Sequence, residues 1–379
     1  MSLQHIALLV GVAAAVTLLL TPFVRRASLR LGLVDEPGGR KIHSGLIPRV
    51  GGVAMLGGFA VAFAVQFWGE SYLGWRTTLT SGNQQIVGCV VGMLVIFAVG
   101  LIDDIVGLNA GQKLLGQLAA AGVLIGFGLR IEFIGNPFGG LLMLGLLGVP
   151  VTALYVVAFT NVINLIDGLD GLAAGVSAIG AATMLVLALQ GNELAAAVFA
   201  AALIGACVGF LRYNFHPASI FMGDSGAMFL GFSLAAISLL GVMKSVAAIA
   251  LAVPLLIIGV PIFDTASAII RRVRHKRPIQ EADRGHIHHR LLGRGFDQRQ
   301  TVLIIYVWSA ALGVGAYAMR WAATSVKLLT FGVLAGLSVF MAYWLGLFEV
   351  AYHHAEEQHD GASIEPDDTP FDGVSGTGH

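Results

Sequence analysis

Long apolar runs alternate with short polar breaks along almost the whole chain. A helix needs about 20 mostly apolar residues to cross a bilayer. That rule predicts eleven spans, at roughly 4–24, 50–68, 84–102, 111–129, 142–163, 172–190, 194–211, 226–242, 246–270, 301–319 and 327–347. The breaks inside the pairs 172–211 and 226–270 are only a few residues long, so these helices must turn back almost at once. The first run has no positive charge before it and its basic residues after it, the reverse of a cleaved signal peptide. The expected fold is an all-α polytopic membrane protein, with one transmembrane catalytic domain over 1–348 and a tail over 349–379.

Composition agrees with the pattern. Hydrophobic residues make up 56% of the 379 and charged residues only 12%, against about 25% charged in a soluble domain. Lys plus Arg and Asp plus Glu are equal at 22 each, a balance that says nothing about partners. Cys89 and Cys207 both lie in apolar runs, so neither a disulfide framework nor a zinc site is indicated. Fifty glycines include the pairs Gly88/Gly92, Gly122/Gly126 and Gly171/Gly175, a spacing suited to close helix packing in lipid. The tail is acidic, lacks Lys and Arg, and is expected to be disordered; its His353, His354 and His359 are read as solvated.

Charge sets the orientation. With the N-terminus outside, seventeen of the twenty-two Lys and Arg residues fall in inside loops, six of them in 25–49 and nine in 271–299. This positive-inside bias puts both the C-terminus and the unusual polar clusters inside. The clusters are Asp103 and Asp104 at the end of span 3, Asn161 to Asp170 at the end of span 5, and NFHPASIFMGDSG (214–226) before span 8. Asp264 near the end of span 9, GHIHHR (285–290), and the basic stretches 35–43 and 48–52 join them. An ion-coupled transporter places its carboxylates near the bilayer midplane. Clustering at one interface suits an enzyme that joins a soluble substrate to a lipid.

Each cluster has a chemical reading and a plainer one. Adjacent Asp103 and Asp104 do not both ionise cheaply without a cation nearby, and one or two carboxylates plus substrate phosphates suit magnesium; the plainer reading is a solvated helix end. Asn161 and Asn164 share a helix face, and Gly168 and Gly171 loosen the chain where Asp167 and Asp170 begin. Such amides and acids can read a nucleobase and ribose or help hold a metal, or they can simply cap a helix. Asp224 stands where span 8 starts. It is either an N-cap or a magnesium ligand beside N–H groups that favour phosphate, with Phe221 placed to stack on a base. His286, His288 and His289, with Arg290, can donate to phosphates; a transition-metal site would need a fourth ligand that is not evident. Lys41 and Arg49, with Arg40 and His43, can engage an anionic head group or merely express the positive-inside bias. No Walker A, Gly-x-Ser-x-Gly or His-Glu-x-x-His pattern is present.

Together these stretches resemble the polyprenyl-phosphate N-acetylhexosamine-1-phosphate transferases, a family that includes the WecA/TagO branch and the phospho-MurNAc-pentapeptide translocase. The likeness runs from about 32 to 305. It rests on Asp35-x-Pro with Arg40, Lys41 and His43, PRVGG (48–52), Asp103 and Asp104, NLIDGLDGL (164–172), FMGDSG (221–226), PIFD (261–264) and HIHHRL (286–291). HIHHRL, and Ile166 where the translocase usually has Thr, resemble the WecA/TagO branch.

The resemblance implies transfer of GlcNAc-1-phosphate from UDP-GlcNAc to undecaprenyl or another polyprenyl phosphate, with UMP leaving. It implies magnesium, with manganese as the alternative ion, the donor, the lipid phosphate and membrane lipids as partners with no nucleic acid among them, a homodimer, and a bacterial inner membrane with the site facing the cytoplasm. It gives Asp224 and Asp104 as metal residues. Asp103, Asp104, Asp167, Asp170, His288 and His289 become catalytic; Lys41, Arg49, Asn161, Asn164, Phe221, His286 and Arg290 bind substrate. Alternatives are the pentapeptide translocase, a UDP-GalNAc enzyme and, from other classes, a lipid-phosphate transporter or hydrolase. A phosphate nucleophile with a second pKa near 6 is mostly dianionic at pH 7, so Asp103 is expected to position rather than to act as a strong base.

Overall fold

The computed structural model describes residues 1–35, 46–76, 79, 83–135, 140–242, 295–319 and 324–344. Ten α-helices occur among them. They are α1 (Leu3–Leu31), α2 (Gly52–Tyr72), α3 (Gln84–Val106), α4 (Ala110–Gly126), α5 (Gly148–Ile166), α6 (Leu172–Gln190), α7 (Leu194–Asn214), α8 (Gly223–Val242), α9 (Gln298–Met319) and α10 (Thr324–Trp344). All but α4 and α10 are long and apolar enough to cross a membrane, α5 together with the turn that precedes it. The expected span at 246–270 and the tail lie outside the described residues.

The all-α expectation needs two small corrections. Val34–Asp35 (β1) pairs antiparallel with Ile47–Pro48 (β2), and Phe133–Gly135 (β3) with Leu141–Met143 (β4). The apolar run expected as one span from 142 therefore starts as a strand and a 3-10 turn (Gly145–Leu147) before α5 begins at Gly148. Gly140 and Gly145 take positive φ, a conformation that interrupts a helix at little steric cost only for glycine.

The three-residue link between α6 and α7 is equally local. Asn192 is left-handed at φ 58°, and the N–H groups of Gly191, Asn192 and Glu193 donate to carbonyls of Leu187, Leu189 and Ala188. The last carbonyls of α6 are thus satisfied within the turn, and α7 runs straight back.

Nearly enclosed, α8 is the central helix, packed against α2, α3, α5, α6 and α7, while α1 lies along α7 and α2. Small residues permit these approaches. A Cβ on Gly231 would stand 2.7 Å from the Phe159 carbonyl oxygen, and one on Gly92 2.5 Å from the Phe232 ring. One on Gly88 would stand 2.5 Å from Phe127. The Gly122/Gly126 pair does not serve this purpose, because a Cβ at either meets nothing within 4 Å. Gly171 acts as the left-handed residue that opens α6.

Contacts gather the starts of α2, α4, α6, α8 and α9 at one end of the bundle with the finishes of α3, α5 and α7. At the opposite end the acidic side chain is fully engaged. Glu70 accepts hydrogen bonds from Gln66 Nε2 (2.8 Å) and the Leu79 N–H (2.8 Å to Oε2), and Gln66 reaches His5 (2.7 Å). This internal satisfaction is what buried polar groups require.

Candidate active site

The site is assembled from helix ends. Gly107 closes α3, its N–H bonded to the Asp103 carbonyl (2.9 Å), and the Leu108 N–H donates to Asp103 Oδ1 (2.6 Å). Asn109 and Gln112 then form a reciprocal capping box that starts α4. This tight hairpin returns Lys113 to α3, where it forms an ion pair with Asp103, and its Nζ also donates to Asp224 Oδ2 at 2.8 Å. Lys113 is therefore the ammonium that joins two of the acids. It stood out in the sequence only as one inside cation, since its second partner lies 111 positions away.

Asp104 faces α8. Its Oδ1 accepts from the Asp224 N–H (2.8 Å) and its Oδ2 from the Ser225 N–H (3.0 Å), and it is 4% exposed. A carboxylate on the first-turn amides of a helix satisfies orphan donors and opposes the positive end of the dipole. Asp104 was expected among the metal residues; in the structure each of its oxygens accepts a backbone N–H at the start of α8. The Asp224 side chain is left to face the other way, with Asn164 Nδ2 donating to its Oδ1 at 2.5 Å.

The 161–172 stretch divides into three environments. Asn161, expected to bind substrate, exchanges two amide hydrogen bonds with Gln117 of α4 (2.7 and 3.1 Å) and donates to the Val157 carbonyl (2.9 Å). It braces α5 against α4. Asn164, one turn later, meets Asp224. Asp167 caps the end of α5 and accepts no hydrogen bond among the described residues. Burial, and then the charges of Asp224, Asp104 and Asp170, push its carboxyl well above the usual carboxylate range.

Asp170 turns to the loop before α8 instead. Its Oδ2 accepts from His216 Nδ1 (2.7 Å) and the Ala218 N–H (3.0 Å). Buried Asn214 ties the same two loops together, accepting from the Gly171 N–H (3.1 Å) and donating to the Ile220 carbonyl (3.0 Å). Gln117 was not singled out in the sequence, and Asn214 and His216 were read only as part of the 214–226 stretch; each works through a partner too distant along the chain to be read as a motif.

Phe221 is half-buried. Its backbone is locked to the basic strap, with its N–H donating to Pro48 O (2.8 Å) and its carbonyl accepting from the Gly51 N–H (2.9 Å). Arg49 thereby lies beside the start of α8. Lys41, His286, His288, His289 and Arg290 lie outside the described residues.

These residues suit a hard divalent cation. All the central acids are carboxylates, and one of them, Asp167, stays unpartnered among the described residues. No three His, Cys, Asp or Glu side chains among those residues form a metal-holding group. A cation held by one or two carboxylates, with water and substrate phosphates completing its shell, is the pattern of magnesium rather than of an all-protein cage.

Comparison with known proteins places these features. Residues 86–242, which carry Asp103 through Asp224, match the family model described as glycosyl transferase family 4. The chain is 40% identical over 338 residues to the probable undecaprenyl-phosphate N-acetylglucosaminyl 1-phosphate transferase of Bacillus subtilis (strain 168), covering 89% of this chain and 91% of that protein. It is 38% identical to the decaprenyl-phosphate N-acetylglucosaminephosphotransferase of Mycolicibacterium smegmatis (83% and 82% covered). It is 29% identical to the undecaprenyl-phosphate alpha-N-acetylglucosaminyl 1-phosphate transferase of Escherichia coli (strain K12) (87% and 84% covered). With its acids gathered at one end of the bundle and likeness running over almost its full length, the chain belongs to the polyprenyl-phosphate N-acetylhexosamine-1-phosphate transferases of glycosyl transferase family 4.

Proposed function

We propose that this protein transfers GlcNAc-1-phosphate from UDP-GlcNAc to a polyprenyl phosphate, giving polyprenyl-diphosphate-GlcNAc and UMP. The observation that carries the reading is the Asp224 cluster. One carboxylate is held between Lys113 and Asn164 at the start of an enclosed helix, with unpartnered Asp167 close by. The printed activities of the bacillary and mycobacterial relatives support the same donor sugar and lipid class.

A lipid phosphate oxygen attacks the β-phosphorus of the donor, a new P–O bond forms, and the bond to the UMP oxygen breaks. The main obstacle is bringing two anions together, so electrostatics and orientation should supply most of the rate. Lys113 provides a fixed positive charge at the site. Its ion pair with Asp103 supports a positioning role for that acid: it keeps the ammonium in place rather than removing a proton from an already dianionic phosphate. Asn164 fixes the direction of Asp224. Magnesium, when bound, would be held by Asp224 and Asp167 and would neutralise charge on the donor phosphates. Asp170 and Phe221 belong to the nucleoside side of the site. The His286–Arg290 loop and Lys41 complete the set of phosphate-binding groups.

We place the site on the cytoplasmic face of a bacterial inner membrane, on the strength of the Lys and Arg bias, in a chain of eleven spans that works as a homodimer. The test is direct. Purified protein, undecaprenyl phosphate, magnesium and labelled UDP-GlcNAc should yield a lipid-linked sugar and UMP, with UDP-GalNAc and UDP-MurNAc-pentapeptide as parallel donors. Failure with all three donors would refute a transferase. A product from one of the other two would correct the sugar. Omitting magnesium from the working reaction tests the metal.

A further inference from the structure

His216 stands beside the site but outside its phosphate chemistry. It is half-buried, and its Nδ1 lies 2.7 Å from Asp170 Oδ2. An ionised carboxylate only accepts hydrogen bonds, so Nδ1 carries the proton and donates it. The Ala218 N–H donates to the same oxygen at 3.0 Å. Both donors therefore reach Oδ2, and Oδ1 accepts nothing among the described residues. The Asp170 side chain is still 15% exposed.

The loop that carries His216 does not need the imidazole to hold its shape. Asn214 ties it to Gly171 and Ile220 (3.1 and 3.0 Å), and the Ser219 N–H and Oγ both donate to the Tyr213 carbonyl (2.8 and 3.0 Å). Two outer helices brace its backbone. Arg25 of α1 donates to the Ser219 carbonyl (3.1 Å) and Arg299 of α9 to the His216 carbonyl (3.2 Å). The turn on the other side of Asp170 is braced as well, because Tyr306 of α9 donates to the Gly171 carbonyl at 2.5 Å. Gly175, in the first turn of α6, admits that ring, and a Cβ there would overlap it. Both walls around Asp170 are thus fixed through backbone groups. What the His216 side chain adds is the direction of one carboxylate.

The last torsion of an aspartate is broad, so a carboxylate on a single N–H can swing. A second donor on the same oxygen removes that freedom and presents the other oxygen. A binding group held in place before its ligand arrives costs less to order on binding. We propose that His216 is a positioning residue for donor binding, which turns Asp170 so that Oδ1 meets a hydrogen-bond-donating group of the nucleoside, a ribose hydroxyl or the base N–H. This rests on the assignment of Asp170 to the nucleoside side of the transferase site, and the histidine acts through that carboxylate.

Binding of UMP with magnesium is measured by calorimetry on detergent-purified full-length protein, for the parent chain and for His216→Ala, His216→Asn and His216→Gln. Melting temperature, kcat and the KM values for UDP-GlcNAc and undecaprenyl phosphate are recorded for each. An asparagine amide nitrogen can take the place of Nδ1, whereas glutamine carries its nitrogen one carbon farther out. His216→Ala should bind UMP about tenfold more weakly, the scale of one lost hydrogen bond to a charged group. The KM for UDP-GlcNAc should rise in step, with kcat and the KM for undecaprenyl phosphate unchanged. His216→Asn should recover most of the loss and His216→Gln much less. In an Asp170→Asn background, His216→Ala should add little, because the two side chains act as one unit. Unchanged UMP binding in His216→Ala overturns the proposal, and so does full additivity with Asp170→Asn. Equal weakening toward UMP and undecaprenyl phosphate with a lowered melting temperature, unrelieved in His216→Asn, also overturns it and marks His216 as a tie between loops. A parent chain that binds UMP yet transfers no sugar refutes the transferase reading, while the UMP affinities still decide the role of His216. A parent chain that binds no UMP overturns both.

Discussion

Replacing Asp104 by Asn separates a helix cap from a metal ligand. The aspartate accepts two backbone hydrogen bonds, from Asp224 and Ser225, in a position 4% exposed. A hydrogen bond to a charged partner contributes about 1.5–3 kcal/mol, and a neutral one about 1 kcal/mol. Asparagine can accept only through its oxygen, and its NH2 group would face the second amide. Two charged bonds become one neutral bond, a loss of about 2–5 kcal/mol, which is large against the roughly 5–15 kcal/mol that typically holds a protein folded. The start of α8 should loosen and take the Asp224 side chain out of position. Detergent-purified Asp104→Asn should melt several degrees below the parent protein and lose most of its turnover. Asp104→Glu should do no better, because a longer side chain cannot meet both amides from the same backbone. The contrary result is equally clear. A variant that melts like the parent but needs many-fold more magnesium for half-maximal activity would show that Asp104 is a metal ligand and that the cap matters little.

Lys113→Gln removes the ammonium between Asp103 and Asp224; turnover should fall about 100-fold or more, the scale of losing one preorganised electrostatic group. Its magnesium requirement should fall as well, because the cation no longer competes with an ion pair for Asp224, and a raised requirement would count against this arrangement. Gly100→Ala should destabilise by about 1–3 kcal/mol, the usual cost of overpacking, since its Cβ would stand 2.6 Å from the Asp224 carbonyl oxygen and the Ser225 Cα. Gly122→Ala, with nothing within 4 Å, is the control and should melt unchanged. Asp167→Asn tests linkage. Burial and neighbouring acids raise the native carboxyl, so the unfolded chain releases its proton first and the aspartate destabilises the cation-free protein as pH rises above about 4. The Asn variant should therefore be more stable than the parent at pH 7–8 without divalent cation, with the advantage shrinking toward pH 4. A less stable variant at neutral pH would refute this account.

The spanning helices were legible because lipid imposes a simple demand. Backbone polar groups must be satisfied within the segment, so each crossing shows as one long apolar run, and even the short α6–α7 connection follows from local turn chemistry at Asn192. The hairpin at 133–143 was not legible, because its second strand is as apolar as the helix that follows. In the site, motif residues could be found but not their roles. Asn161 and Asn164 lie on one face as expected, yet one turns to Gln117 and the other to Asp224. Asp103 and Asp104 are neighbours in sequence but point to a lysine and to a helix start, respectively. Such differences are set by which helix lies opposite, and that is decided by long-range packing rather than by spacing.

The two ends of the bundle explain why the site is where it is. At the far end Glu70, Gln66 and His5 complete one another. At the near end the Asp167 carboxylate accepts no hydrogen bond and the Arg49 Nε finds no partner among the described residues. The strap holds Arg49 beside Gly223, while the end of α5 holds Asp167 at the Asp224 carboxylate. An acid and a base thus stand in half-buried positions, each without a partner among those residues. This costs folding energy, and backbone packing at Gly51, Gly52 and Gly223 maintains it. On the reading proposed above, a phosphate substrate arriving with a divalent cation would supply both missing charges together, the anion to Arg49 and the cation to the carboxylates.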